Sequence, residues 1–252
     1  MTTTLDFLDP VETQKRPLAE ALIAIADTKL VLGNWHVVCL NNGKSLPDYA
    51  ALLAMAASAF GHARALYDHL ATFGLEYAEL ERGRGAAAIH SLGVLDAAPG
   101  DWQDFVVTAY LADQASWLQA ARYLSHPERT LAGLARRIGE ETYFHLKYAT
   151  GWAAEFAREP ASAQRARDAL LRRYRQALAW FPVNDGDAQA AGRRQAFAEA
   201  AQKLLDILGQ GGELPSAADT TIHAGDTPLR RRAPLPERLY ERVRFKDADA
   251  AP

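Results

Sequence analysis

The chain holds 252 residues, 49% of them apolar and 23% charged, which is enough to bury a sizeable core and too apolar for a disordered polymer. A formal net charge of −3 offers no basic surface to a nucleic-acid backbone or an anionic membrane, and one cysteine, Cys39, excludes a disulfide framework or a multi-cysteine zinc site. No run approaches the ~18–20 apolar residues that cross a bilayer, and the start Met-Thr-Thr-Thr-Leu-Asp lacks the basic, apolar character of a secretory signal, so a cytosolic protein without nucleic-acid or membrane partners is expected.

The sequence carries 50 Ala and 32 Leu against 15 Val plus Ile, a ratio that favours helix over sheet and predicts an all-α fold. Residues 1–16 are polar and read as a loose arm. From Pro17, the apolar positions Leu18, Leu22, Ile25, Leu32 and Trp35 recur at helical spacing as far as about Leu40, where Asn41-Asn42-Gly43 makes a turn. Ser45 is placed to cap a helix over 46–72, with Asp48 near its positive end. That helix is apolar almost all round, which predicts a position inside a bundle. A short piece over 75–83 and an irregular stretch over 86–100 follow. Asp101 caps a helix containing Trp102, Phe105, Tyr110 and Trp117, and Ser125-His126-Pro127 breaks it. Further helices are predicted over 128–157, over 161–181 with Arg165, Arg167, Arg172, Arg173 and Arg175 on its wetter faces, and over 188–209 after the turn Pro182–Asp187. The bundle thus occupies 17–210. Residues 211–252 hold five of the 12 prolines and the run Arg230-Arg231-Arg232, a tail with one helical turn near 236–243.

Helical bundles build di-iron carboxylate sites from one Glu on each of two helices and a Glu-x-x-His pair on each of two others, because residues three apart share a helix face. None of the seven histidines has a carboxylate three positions before it: the residues there are Gly33, Ala59, Leu66, Ala87, Tyr123, Thr142 and Thr220. The nearest approach is Glu141 with His145, whose i,i+4 spacing suits a buried carboxylate–imidazole hydrogen bond tying helices together. The helix 46–72 has no Glu, and 18–40 offers only Glu20 and Asp27. No Gly-rich phosphate loop and no Gly-x-Ser-x-Gly elbow is present. Cys39 reads as a small buried hydrophobe rather than a nucleophile, His62 and His69 as core histidines, and the arginine run as a solvated charge cluster that could also meet an acidic partner or a CoA phosphate.

Three stretches resemble a known family: Ala26-Asp27-Thr-Lys-Leu-Val-Leu-Gly33, Ala57-Ser-Ala-Phe-Gly-His62-Ala-Arg64-Ala-Leu-Tyr67, and Ile138-Gly-Glu-Glu141-Thr-Tyr-Phe-His145-Leu-Lys-Tyr148-Ala-Thr-Gly-Trp152. They are similar to the phenylacetate-catabolism bundle family, which supplies the A and C subunits of bacterial phenylacetyl-CoA epoxidase, over about residues 18–182. The resemblance implies a ferritin-like bundle. In that family the A subunit carries the di-iron centre and binds the acyl-CoA, while the C subunit is its metal-free structural partner. The chain is closer to the C type: the A type's Glu-Ala-Gly-His reads Ala59-Phe-Gly61-His62 here, and the Glu-to-His spacing on the later helix is four, as in the C type. Departures from the C type, among them a longer N-terminal arm, leave room for a divergent paralogue whose partner, or whose acyl-CoA, is not phenylacetate-related. His62 replaces the usual Gln, and the segment Ile222-His223-Ala-Gly-Asp226 runs into the arginine cluster instead of a His-Thr-Glu motif.

The resemblance therefore implies a structural subunit that is no enzyme by itself, with no catalytic residue, cofactor or metal of its own, a di-iron catalytic subunit as partner, and a homodimer when alone. Trp102, Trp117 and Tyr148 are candidate interface anchors, with core packing as the default for each. The competing expectations are a bundle oxygenase using His62, Glu141 and His145 with Asp27 or Asp113, and a stand-alone acyl-CoA-binding bundle.

Overall fold

A computed structural model describes residues 6–181, 189–209, 211–216 and 234–244. Among them lie seven α-helices and no strand: α1 Arg16–Val38, α2 Leu46–Ala71, α3 Trp102–Ala121, α4 Arg129–Phe156, α5 Pro160–Leu178, α6 Ala190–Leu208 and α7 Glu237–Val243. The chain is an all-α helical bundle, as the Ala/Leu excess predicts. The turn expected at Pro182–Asp187, the His223 segment and the Arg230–Arg232 run lie outside the described residues.

Helix ends are set by local chemistry. At α2, the Ser45 hydroxyl accepts from the Asp48 N–H at 3.4 Å, while Asp48 Oδ2 accepts from the Ser45 hydroxyl at 2.7 Å and the Lys44 N–H at 3.1 Å. At α3, Asp101 accepts from the Asp104 N–H at 2.8 Å, and Asp104 accepts from the Gly100 N–H at 2.9 Å. Such reciprocal exchange satisfies N–H groups that a helix start leaves without partners. Gly74, with φ of 89°, turns the chain away after α2 in a conformation that favours glycine.

The chain divides into two compact units. The first comprises the described residues of Met1–Leu92, His126–Leu134 and Pro228–Pro252. Its frame is α1 packed along α2, with α7 against α1. The second comprises those of Gly93–Ser125 and Ala135–Thr227, where α3 packs on α5 and both pack on α6. The expected short piece over 75–83 is a single π-helical turn at Glu79–Gly83, closed by the Arg84 N–H to the Glu79 carbonyl at 3.2 Å.

Three expectations are corrected. The N-terminal arm is anchored before α1, since Leu8 and Val11 are buried. The helix α2 is not wholly interior: Leu46 is 80% and Leu53 53% exposed. By length and composition α1 could cross a bilayer, with a mean hydropathy of 1.2 over its 18-residue window, yet 83% of that window is buried in the chain, as for a core helix.

Candidate functional site

Asp27, midway along α1 and fully buried, is the centre of a dense polar cluster in the first unit. Its Oδ1 accepts from Arg84 Nη2 at 2.6 Å and from the Tyr67 hydroxyl at 2.5 Å, and its Oδ2 accepts from Arg84 Nη1 at 2.9 Å and the His90 backbone N–H at 2.6 Å. A carboxylate has about four lone-pair sites, and each is taken. Arg84 in turn donates to the carbonyls of Leu80 and Ala88, and its guanidinium lies 5.3 Å from the Phe7 ring centroid. Burial, then the Asp27 charge, pushes the Tyr67 phenol well above its usual range. Burial alone would weaken the Arg84 proton, but Asp27 and Tyr67 outweigh it and hold the guanidinium charged. The π-helical turn aims Arg84 inward. The Leu92 N–H bonds the Thr28 hydroxyl at 3.0 Å, so the 84–92 loop is stitched to α1 at both ends.

The second unit has a similar clamp. Arg173 of α5 grips Asp104 of α3 at 2.7 and 2.9 Å and donates to the carbonyls of Val94, Ala97 and Ala98. This corrects the expectation that Arg173 lies on a wet face, since it is buried. Burial raises the Asp104 carboxyl, but bonds from Arg173 and the Gly100 N–H, with the Arg172 charge, hold it below the usual carboxylate range.

The candidate metal ligands fall as follows. His62 is buried in α2, in the first unit. Glu141 and His145 lie on α4 in the second. The His145 Nδ1 sits 3.1 Å from Asp113 Oδ2 of α3, and both side chains are buried. A carboxylate–imidazole tie between helices is thus present, with Asp113 as the carboxylate. Glu141 is partly exposed and accepts from Arg137 Nε at 2.8 Å, one turn back along α4. Among the described residues no group of three or more His, Cys, Asp or Glu comes together to hold a metal ion. The donors do not fit a di-iron carboxylate centre: Asp27 has no free lone pair, Asp113 faces His145, and Glu141 is turned to an arginine.

Cys39 is buried. Trp102 is also buried, edge-on to Trp152 at 5.3 Å between centroids, so it is core rather than anchor. Among the described residues the large exposed aromatics are instead Tyr143 and Phe144, at 55% and 70%. With Trp117, Leu124 and Gly139 they line an apolar groove of about 490 Å³. The signal for them was available, because the buried positions of α4 (Ala135, Ile138, Thr142, His145, Ala149, Ala153) leave 143 and 144 on the opposite side. A second hollow, about 580 Å³, is lined by Phe7, Pro10, Leu75 and Leu80 with Glu76 and Glu79.

The sequence profile described as phenylacetic acid catabolic protein matches residues 1–222. No curated protein matches the sequence.

Proposed function

The chain belongs to the phenylacetic acid catabolic protein family, and from that premise we propose that it is the metal-free structural subunit of a phenylacetyl-CoA epoxidase-type multicomponent monooxygenase, pairing with a di-iron catalytic subunit. The observation that carries this reading is the saturation of Asp27. The acidic group best placed in the core of α1 accepts four protein hydrogen bonds, two of them from a buried guanidinium. A metal ion would have to displace Arg84 from Asp27, leaving a second cation buried beside it, which is strongly unfavourable. The buried charges are spent on holding loops to helices, which suits a chain whose contribution is a rigid surface.

An obligate partnership of this kind needs roughly 2,000 Å² or more of buried surface. Phe144 and Tyr143 are suited to anchor it, being large, exposed and set beside an apolar groove. The location follows the same reading and is cytosolic.

Two measurements test the proposal. Elemental analysis of protein from iron-supplemented cells should find iron near zero, unchanged in Glu141→Ala; stoichiometric iron lost in that variant would instead favour a bundle oxygenase. Co-expression with a di-iron member of the family should give a co-purifying pair weakened by Phe144→Asp. A chain that stays apart from such a subunit and binds acyl-CoA alone would replace the structural-subunit reading.

A further inference from the structure

The hollow of about 580 Å³ in the first unit takes its walls from two segments far apart in sequence. Phe7 and Pro10 of the N-terminal arm form one wall, and Leu75, Glu76, Glu79 and Leu80 form the other. The walls meet at Gly74, where a Cβ would stand 3.8 Å from the Pro10 carbonyl. Small-molecule sites have volumes of about 300–1,000 Å³, so the hollow is of ligand size. Its apolar parts are also held in place. Leu75 and Leu80 are buried. The Phe7 ring is fixed from within by the Arg84 guanidinium, 5.3 Å from its centroid, and by His90, stacked at 6.1 Å between centroids.

Charge decides what such a hollow takes. The segments 7–16 and 74–84 contain four cations, and each already has an acid. Lys15 pairs with Glu12 at 3.2 Å, Arg16 with Asp9 at 2.7 Å, Arg82 with Glu81 at 3.2 Å and Arg84 with Asp27 at 2.6 Å. Glu76 and Glu79 are left over, and among the described residues neither has an ion-pair partner. Glu79 also has a prepared seat. A Cβ on Gly83 would fall on its carboxylate, so the bare glycine leaves the space in which that group lies across the π-helical turn. Among the described residues no third His, Cys, Asp or Glu joins the two to hold a metal ion. Two unpaired carboxylates on an apolar hollow suit an organic cation with an apolar body, and they repel an anion such as an acyl-CoA.

We propose that this hollow binds a small alkylamine, its ammonium group against Glu76 and Glu79 and its hydrocarbon body against Phe7, Leu75 and Leu80. Binding places opposite charges together and removes apolar surface of both partners from water. Both carboxylates are exposed, so each ion pair contributes little, and the apolar contact supplies the larger share. A six-carbon amine then binds with a dissociation constant on the order of 1 mM. The site does not depend on the structural-subunit reading and stands whether or not the chain has a catalytic partner.

Titration of hexylammonium chloride into the isotope-labelled full chain, up to about 10 mM and followed by backbone amide shifts, tests this. The amides of Gly74, Leu75, Ala78 and Leu80 should move and saturate, while hexanoate at the same concentrations leaves them in place. Glu76→Gln combined with Glu79→Gln should weaken binding at least about fivefold, with unchanged circular dichroism, because neither side chain has an ion pair to lose. Gly83→Ala keeps both charges but displaces the Glu79 carboxylate, and should weaken binding about twofold or more. Amides that do not saturate, or that hexanoate moves equally, overturn the proposal, as does an unchanged dissociation constant in either variant. So does tighter binding of the peptide acetyl-Gly-Lys-Gly amide than of hexylammonium, which would assign the hollow to a protein side chain.

Discussion

At the scale of single residues, the strongest commitment in the molecule is Asp27 with Arg84. The pair is fully buried, and the guanidinium is satisfied by one carboxylate and two carbonyls. Asp27→Asn keeps the shape but leaves Arg84 buried without its counter-charge, and should cost about 3–5 kcal/mol. Asp27→Leu combined with Arg84→Met should cost less than either change alone, because no lone charge is stranded. Urea midpoints of the three variants check this; Asn at position 27 with the wild-type midpoint would mean that Arg84 finds another acid. None of this was legible in the sequence. Asp27 sat there as one of two acids on its helix, and Arg84 as one of two arginines among glycines at the end of a short segment, 57 residues away. Nothing local marks such a pair. The Asp113–His145 tie escaped for the same reason, while Glu141 drew attention only because it shares a helix with the histidine.

At the scale of the element, what the sequence revealed well was where helices begin. Pro17, Ser45 and Asp101 each announce a start through one residue's own fixed φ or hydrogen bonds, and α1, α2 and α3 begin beside them. Sidedness was harder. In α4 the buried positions follow one helical stripe, although Tyr143 and Phe144 stand outside it among charged residues, but α2 is so rich in Ala and Leu that its wet and dry faces look alike, and the exposed Leu46 and Leu53 pass for core. In α5 the reverse happened, as Arg173 goes inward among four other arginines that stay out or half out. Glycines give a direct test of which side is which. A Cβ on Gly139 would stand 2.5 Å from the Trp117 ring, whereas one on Gly151 of the same helix meets nothing within 4 Å. Gly151→Ala should therefore stabilise by about 0.5–1 kcal/mol through helix propensity, and Gly139→Ala should destabilise by about 1–3 kcal/mol through overpacking. Thermal melts of the two variants should shift in opposite directions. Equal shifts would mean that Trp117 swings aside at no cost.

For the molecule as a whole, composition was enough to forecast an all-α bundle, because the Ala and Leu excess acts on every element at once. How the stability responds to pH is a property the bundle acquires only through burial. In the first unit, His69 sits in the last turn of α2 beside Phe73, its Nδ1 3.5 Å from Glu128. Burial lowers its pKa, and the attraction of Glu128 only partly offsets that. The unfolded chain then takes up a proton more readily than the native one, so the His69 contribution is complete above the ordinary value of 6.5 and is lost as pH falls below it. In the second unit Asp104 is likewise lowered, from an ordinary 3.8, and its contribution drains at still lower pH. At the alkaline end the sign reverses. Tyr67 is raised well above 10.0, and burial pushes Tyr110 up to about 12. Both hold their protons more tightly when folded, and their support is complete below 10.0 and fails as pH climbs through the native values. The melting temperature should therefore form a plateau between about pH 6.5 and 10, with a shoulder on the acid side that His69→Phe removes while leaving the alkaline edge in place. A melting temperature that rises from neutrality toward pH 5 in the wild type would show that His69 gains more from Glu128 than it loses by burial, and the order of those two influences would have to be reversed.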